Sequence, residues 1–236
     1  RRQAEHRLLG LLAGQADLTR IGERLVRTAF DASAIETRHV VLDELVAPRE
    51  TPFLDAADGA LRSPSTRVRN ARYAEHAPAL ALEAAAASLD DGGLHPTAVT
   101  HVVTASCTGF FAPGIDHILV RDLGLPSSTP RLHVGFMGCY AAFPALRAAE
   151  AICRAEPGAV VLVVCVELCS LHLRSSSDPD TIVASSVFAD GAGAAIVTAR
   201  PHPRAALRID ALASAIAPSS EEEMAWTIGD EGFEMV

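Results

Sequence analysis

Residues 159–168 read Ala-Val-Val-Leu-Val-Val-Cys-Val-Glu-Leu. A β-branched run of this kind is the pattern of a central strand buried on both faces. Helix and strand signals alternate on the way outward from it. Upstream, Pro157-Gly158 closes an Ala-rich helix over Tyr140–Glu156, and Leu132–Phe136 predicts a strand before it. Pro113–Leu123 predicts a helix with Ile115, Ile118, Leu119 and Leu123 on one face and Gly124 at its end. Val99–Ala105 predicts another strand, and His76–Asp91 a helix stopped by Gly92 and Gly93. Downstream, Ser186–Ala199 and Ala206–Ser214 read as further strands. Strands alternating with helices predict an α/β fold with a largely parallel sheet. Residues 1–50 predict two helices, one carrying Leu8, Leu9, Leu11 and Leu12, the other Ile21, Leu25, Val26 and Phe30, and then a short strand over Val40–Leu42. Pro, Ser, Asp and Arg dominate Ala47–Arg72, which predicts an irregular or partly helical connection. Glu221-Glu222-Glu223 reads as a solvated face.

At 236 residues, 49% hydrophobic and 21% charged, the chain can build a core and is too apolar for disorder. Its length allows one large domain or two small ones. Only 5% is aromatic, so that core is aliphatic. The net charge of −9 excludes a bulk basic surface for nucleic acid. All 20 basic residues are arginine, and Asn70 is the single asparagine. Five cysteines without regular spacing fit a reducing compartment better than a disulfide framework. No apolar run is long enough to span a bilayer. The Arg-rich start followed by Leu8–Leu12 is too interrupted for a signal peptide. The expectation is a soluble cytoplasmic protein.

Three segments carry chemistry. In Gly135-Phe136-Met137-Gly138-Cys139-Tyr140 a strand ends, glycine opens a tight turn and a cysteine meets the start of a helix. A helix N-terminus favours thiolate over thiol, and its unpaired N–H groups can hold an oxyanion. Pro144 fits only within the first turn of that helix. The second segment, Ser106-Cys107-Thr108-Gly109-Phe110-Phe111-Ala112-Pro113-Gly114-Ile115-Asp116, joins a strand to a helix. The third, Phe188-Ala189-Asp190-Gly191-Ala192-Gly193, permits a tight turn but fails as a phosphate loop, having no following Lys and running into a strand. Taken singly, each also reads as ordinary structure. Cys165-x3-Cys169-x2-His172 has the residue types of a metal site without zinc-knuckle spacing or a second pair, so no metal is expected. Cys153 and Cys165 read as core thiols, and His101 and His133 as structural residues.

Together the three segments, in order and spacing, resemble the type III polyketide synthases, the chalcone-synthase-like branch of the thiolase superfamily. The resemblance implies a thiolase-like αβαβα layered fold. It covers the chain from about residue 20 to the end. It implies that Cys139 takes a starter acyl group from coenzyme A, that malonyl-CoA is then decarboxylated and condensed repeatedly, and that the product cyclises to a pyrone, resorcinol or chalcone-like compound. Phe188 would be the aromatic gatekeeper between a coenzyme A tunnel and an elongation cavity. Cys107, Thr108, Cys169 and His172 would line that cavity, and Gly138 beside the nucleophile joins these substrate-binding positions. Ala112 stands where plant enzymes carry a larger residue that reaches across a homodimer. Cys107 and Cys169 replace hydroxyl residues of the plant enzymes, and with Ala112 these differences speak against a plant-type phenylpropanoid starter and leave room for a fatty acyl or malonyl one. Acyl-CoA and malonyl-CoA are the expected partners, with no cofactor, nucleic acid or membrane. A single-condensation ketoacyl-synthase III and a non-catalytic partner of an intact synthase are the alternatives.

The sequence also departs from the family in its catalytic set. Family members pair the cysteine with a His in a His-Pro-Gly-Gly setting and with an Asn. After Cys139 the only histidines are His172 and His202, neither in that setting, and no asparagine follows. The expectation is a single incomplete nucleophile-bearing domain over residues 1–236, cut at both ends. The C-terminal half would be largely absent, beginning near 205–236, and the chain inactive by itself.

Overall fold

The computed structural model describes residues 2–221 and 224–235. Of the predicted acidic face, Glu221 is exposed, and Glu222 and Glu223 lie outside the described residues. The chain forms two compact units: Arg1–Tyr73, Leu168–Asp190 and Ser219–Val236 make the first, and Ala74–Glu167 with Gly191–Pro218 the second.

The second unit holds the sheet. β1 (His101–Ser106), β2 (Arg131–Gly135), β3 (Val160–Leu168) and β4 (Asp190–Thr198) lie in the order β2-β1-β3-β4. β1 runs parallel to both neighbours, with Val103 opposite Leu132 on one side and Val163 on the other. Parallel neighbours need crossovers, and α4 (Ile115–Asp122) and α5 (Ala142–Ala155) supply them. The predicted central strand lies between β1 and β4, and of its residues only Cys165 and Glu167 are not fully buried. On α5, Ala145, Ala149 and Cys153 repeat at four-residue spacing and are buried against Val103, Ala105, Val161 and Val163. Small side chains on that stripe let helix and sheet pack closely. The same device recurs on α3 (Thr66–Gly92), where Ala77, Ala81, Ala85 and Leu89 are buried. α3 starts ahead of the predicted His76, and Gly93 ends it with φ +62.

The first unit holds α1 (Arg2–Ala13), α2 (Arg20–Ser33), α6 (Pro179–Val187) and an antiparallel hairpin of β5 (Trp226–Gly229) and β6 (Gly232–Met235). Thr19 caps α2 through its hydroxyl, 3.0 Å from the Gly22 N–H, and Asp178 caps α6 through the Thr181 N–H at 2.8 Å. Val26 and Phe30 are buried as their spacing predicts, but Ile21 points to solvent. The turn of the hairpin is tied to Thr66, whose N–H donates to Asp230 O at 2.7 Å and whose hydroxyl accepts from the Gly232 N–H at 2.8 Å. Gly232 has φ +119, and a Cβ there would stand 2.8 Å from the Arg69 side chain, so both space and backbone call for glycine.

Four sequence expectations change. Val40–Leu42 is not a strand: the Val41 N–H donates to the Asp190 carboxylate at 2.6 Å instead of to a neighbouring strand. The strand expected over Ser186–Ala199 is helix α6 up to Val187 and strand only from Asp190. Ala206–Ser214 is irregular, with Leu207 92% exposed. Strand-like residues form a strand only where a partner offers N–H and C=O groups, and among the described residues none does so there. The hairpin was unexpected because each arm has only four residues. Among the described residues no helix is long and apolar enough to cross a membrane.

Candidate active site

In the second unit β2 ends at Gly135 and the chain turns sharply before α5. Phe136 has φ +54 and Gly138 φ +74, and the Ala141 N–H donates to Gly138 O at 3.1 Å. Cys139 sits exposed on this turn, three residues before the first residue of α5. Pro144 is the third residue of α5, where an N–H has no intrahelical partner to lose.

The loop after β1 packs on the same turn. The Phe136 N–H donates to Ser106 O at 3.2 Å, and the rings of Phe110 and Phe136 stand 5.6 Å apart. Cys107 and Thr108 are buried in that loop. Beneath them lies Glu167, the charged residue in the otherwise apolar β3 run. Its carboxylate accepts from the Cys107 N–H at 2.8 Å, from the Thr108 hydroxyl at 2.6 Å and from the Ser106 hydroxyl at 3.4 Å. Burial pushes the Glu167 carboxyl above its ordinary range, against the pull of those donors. Burial, reinforced by Glu167 and by charge at Cys139, pushes the Cys107 thiol up to about 12, while a hydrogen bond from the Gly138 backbone pulls the other way. Two thiols therefore share one neighbourhood, and the buried one stays protonated at neutral pH.

In the first unit a short 3₁₀ turn, Cys169–His172, follows β3. Asp190 clamps it, accepting from the Ser170 N–H at 2.7 Å while also holding Val41. Arg69, 1% exposed, donates to the carbonyls of Pro64, Leu171 and Leu173. Burial pulls its guanidinium down to about 10. His172 is buried, with Nδ1 accepting from the Phe233 N–H at 3.1 Å. Its ring stacks on Phe233 at 4.4 Å and meets Trp226 edge-on at 5.8 Å. A cavity of about 60 Å³ opens beside these rings, lined also by Cys169, Phe188 and Val40.

The structure thus gathers Cys107, Thr108, Gly138 and Cys139 in the second unit and Cys169, His172 and Phe188 in the first. Ala112 is exposed on the loop ahead of α4. Cys153 is buried, and Cys165 packs half-buried against the same core. His133 and His101 bond the Thr104 and Thr100 hydroxyls at 2.8 and 2.9 Å. Among the described residues no three His, Cys, Asp or Glu side chains group to hold a metal. Sequence reasoning missed Glu167, Asp190, Trp226 and Phe233. A lone carboxylate in an apolar strand was a readable signal for Glu167, and the single tryptophan one for Trp226. The acceptor role of Asp190 had none.

Residues 12–201 match the family model for chalcone and stilbene synthases, N-terminal domain. The chain belongs to the chalcone and stilbene synthase family. A probable polyketide synthase of Dictyostelium discoideum is 32% identical over 212 residues, which is 89% of this chain and 6% of the relative. An alpha-pyrone synthesis polyketide synthase-like protein of Mycobacterium tuberculosis is 37% identical over 178 residues, covering 75% of this chain and 43% of that protein. The solved C-terminal type III polyketide synthase domain of a type I/III hybrid from Dictyostelium superposes with a TM-score of 0.84 at 28% identity, over 98% of this chain and 62% of that one. The fold is accordingly the thiolase-like α/β architecture of type III polyketide synthases. The chain spans less than half of the length of these two curated relatives.

Proposed function

We propose that this chain carries the nucleophile of a type III polyketide synthase. The Cys139 thiolate attacks the carbonyl of an acyl-CoA thioester, coenzyme A leaves as the thiol, and the acyl group stays on Sγ. Malonyl-CoA then loses CO2, the resulting acetyl-CoA enolate carbon attacks the Cys139 thioester carbonyl, and the Cys139 thiolate leaves; the extended acyl-CoA passes its acyl group back to Sγ, releasing coenzyme A, for the next round. Repeated rounds give a chain that cyclises to a pyrone, resorcinol or chalcone-like product. Coenzyme A thioesters are the substrates, and no cofactor is needed for this chemistry. The observation that carries the reading is the exposed Cys139 on the Gly138 turn beside a second thiol, Cys107, that is kept protonated. One thiol is available for transfer, and its neighbour does not compete.

We propose further that these 236 residues alone load Cys139 but release no cyclised product. An enolate needs donors to hold its charge, and losing one such donor costs about 10²–10³ in rate. Incubation with an acyl-CoA and malonyl-CoA tests both statements. Intact mass should show one acyl group on the wild type and none on Cys139→Ala. Acylation elsewhere with Cys139 bare overturns the first statement, and appreciable pyrone or resorcinol overturns the second.

The chain also presents an edge that suits a homodimer. β2 is the outer strand, and Leu132, Phe136, Met137, Tyr140 and Phe143 on and after it are exposed. An unpaired edge with an apolar surround is a pairing surface for a second copy. Five free cysteines fit a reducing compartment such as the cytoplasm.

A further inference from the structure

Cys107 takes no step in the chemistry above, yet it is the second thiol of the Cys139 neighbourhood. The geometry points to a modification site here. Hydrogen peroxide converts Cys139 to a sulfenic acid, Cys107 resolves it into a reversible disulfide, and Glu167 takes the Cys107 proton. This chemistry needs no acyl group on Cys139.

All of these groups belong to the second unit. The parallel register of β1 and β2 sets Ser106 beside Gly135, so the segments that follow the two strands leave the sheet side by side. The Phe136 N–H donates to Ser106 O at 3.2 Å. Beyond that bond the Gly138 backbone donates to the Cys107 sulfur, and Cys139 is the next residue along the chain. A disulfide asks for close Cα atoms and converging side chains. The Gly138 turn has the freedom to supply them, because Gly138 has φ +74 and a Cβ there would meet nothing within 4 Å. Cys139 is exposed and Cys107 buried, so an oxidant reaches Cys139 first. Glu167 then stands on the far side of Cys107, where its carboxylate accepts from that thiol as well as from the Cys107 N–H at 2.8 Å.

The Cys139 thiolate attacks one oxygen of hydrogen peroxide, the O–O bond breaks, and hydroxide leaves to take a proton from solvent. The Cys107 sulfur next attacks the Cys139 sulfur, forming the S–S bond and breaking the S–O bond. The Cys107 proton passes to Glu167 and from there to the departing hydroxide, which leaves as water. Both thiols are oxidised by one peroxide, which ends as two waters. Protonation keeps Cys107 out of acyl transfer, but a held thiol with its own base suffices against a sulfenic acid beside it. While the bond stands, Cys139 cannot attack a thioester, and a dithiol reductant frees it again. Without Cys107, oxidation runs on to the sulfinic acid and the thiol is lost.

The test treats the whole chain with hydrogen peroxide at neutral pH, blocks free thiols with iodoacetamide in denaturant and maps the peptides by mass. In the wild type the Cys107 and Cys139 peptides should be joined, and dithiothreitol should return Cys139 to iodoacetamide labelling. Cys107→Ala should lower that recovery at least about tenfold, with Cys139 found as the sulfinic acid. Cys107→Ser should do the same and covers the case in which the alanine variant does not fold. Glu167→Gln should slow closure at least about tenfold, read as Cys139 sulfenic acid trapped by dimedone. Cys165→Ala, at a half-buried core thiol, should leave the join intact. Wild-type Cys139 oxidised to the sulfinic acid while Cys107 stays free overturns the inference, and so does Cys139 joined to another cysteine or to a second chain. Joined peptides from a chain that takes no acyl group from acyl-CoA overturn the synthase reading and leave the disulfide.

Discussion

Glu167 is the residue on which most of the site geometry converges. It accepts from three consecutive residues, Ser106, Cys107 and Thr108, and its carboxyl titrates above the ordinary range because it is largely removed from water. The folded chain therefore keeps this proton to a higher pH than the unfolded chain does. That contribution to stability is full below the ordinary glutamate pKa and falls as pH rises through the shifted value. Thermal melts of the wild type should accordingly lose stability with rising pH over that interval, and Glu167→Gln should flatten the dependence. Glu167→Ala should cost about 2–4 kcal/mol in denaturant titrations, because the buried Cys107 N–H loses its acceptor. The sequence showed a carboxylate in an apolar strand but not what it bonds, since Cys107 and Glu167 meet only when β1 and β3 pair.

Among the elements, α5 is the one whose packing fixes the position of the Cys139 turn. Its Ala stripe leaves no space, with Ala145 and Ala149 fully buried against β1 and β3. Ala149→Leu should destabilise the chain by about 2–3 kcal/mol in urea, whereas Arg147→Ala, on the solvent face, should stay within about 0.5 kcal/mol. Elements of this kind were legible. The Val-rich run gave β3, the Ala-rich run gave α5, and glycine gave the helix ends at Gly93 and Gly124, because burial and backbone conformation leave a local imprint. Ala206–Ser214 was misread and the β5–β6 hairpin missed because pairing is non-local: one stretch has strand-like residues and, among the described residues, no partner, and the other has short arms and a partner. The distant meeting of His172 with Trp226 and Phe233 had no local imprint either.

For the molecule as a whole, the exposed edge strand has the largest consequence for solution behaviour. If a second copy covers β2, the chain should run as a dimer in size-exclusion chromatography with light scattering, and Leu132→Asp with Phe143→Asp should yield monomers with unchanged circular dichroism. A monomeric wild type at micromolar concentration removes that reading. The three motifs made the family legible, since each keeps its residue types and its order. The division into two compact units was not legible, because the first is assembled from three separate stretches of chain that only folding brings together.

The contrast between Cys139 and Cys107 has a practical side. The chain has five cysteines, but only Cys139 is exposed, two are half-buried and two are buried. To a soft electrophile in neutral buffer this is close to a single-thiol protein. A fluorophore, spin label or covalent fragment can therefore be directed to the Cys139 turn without first editing the other four positions.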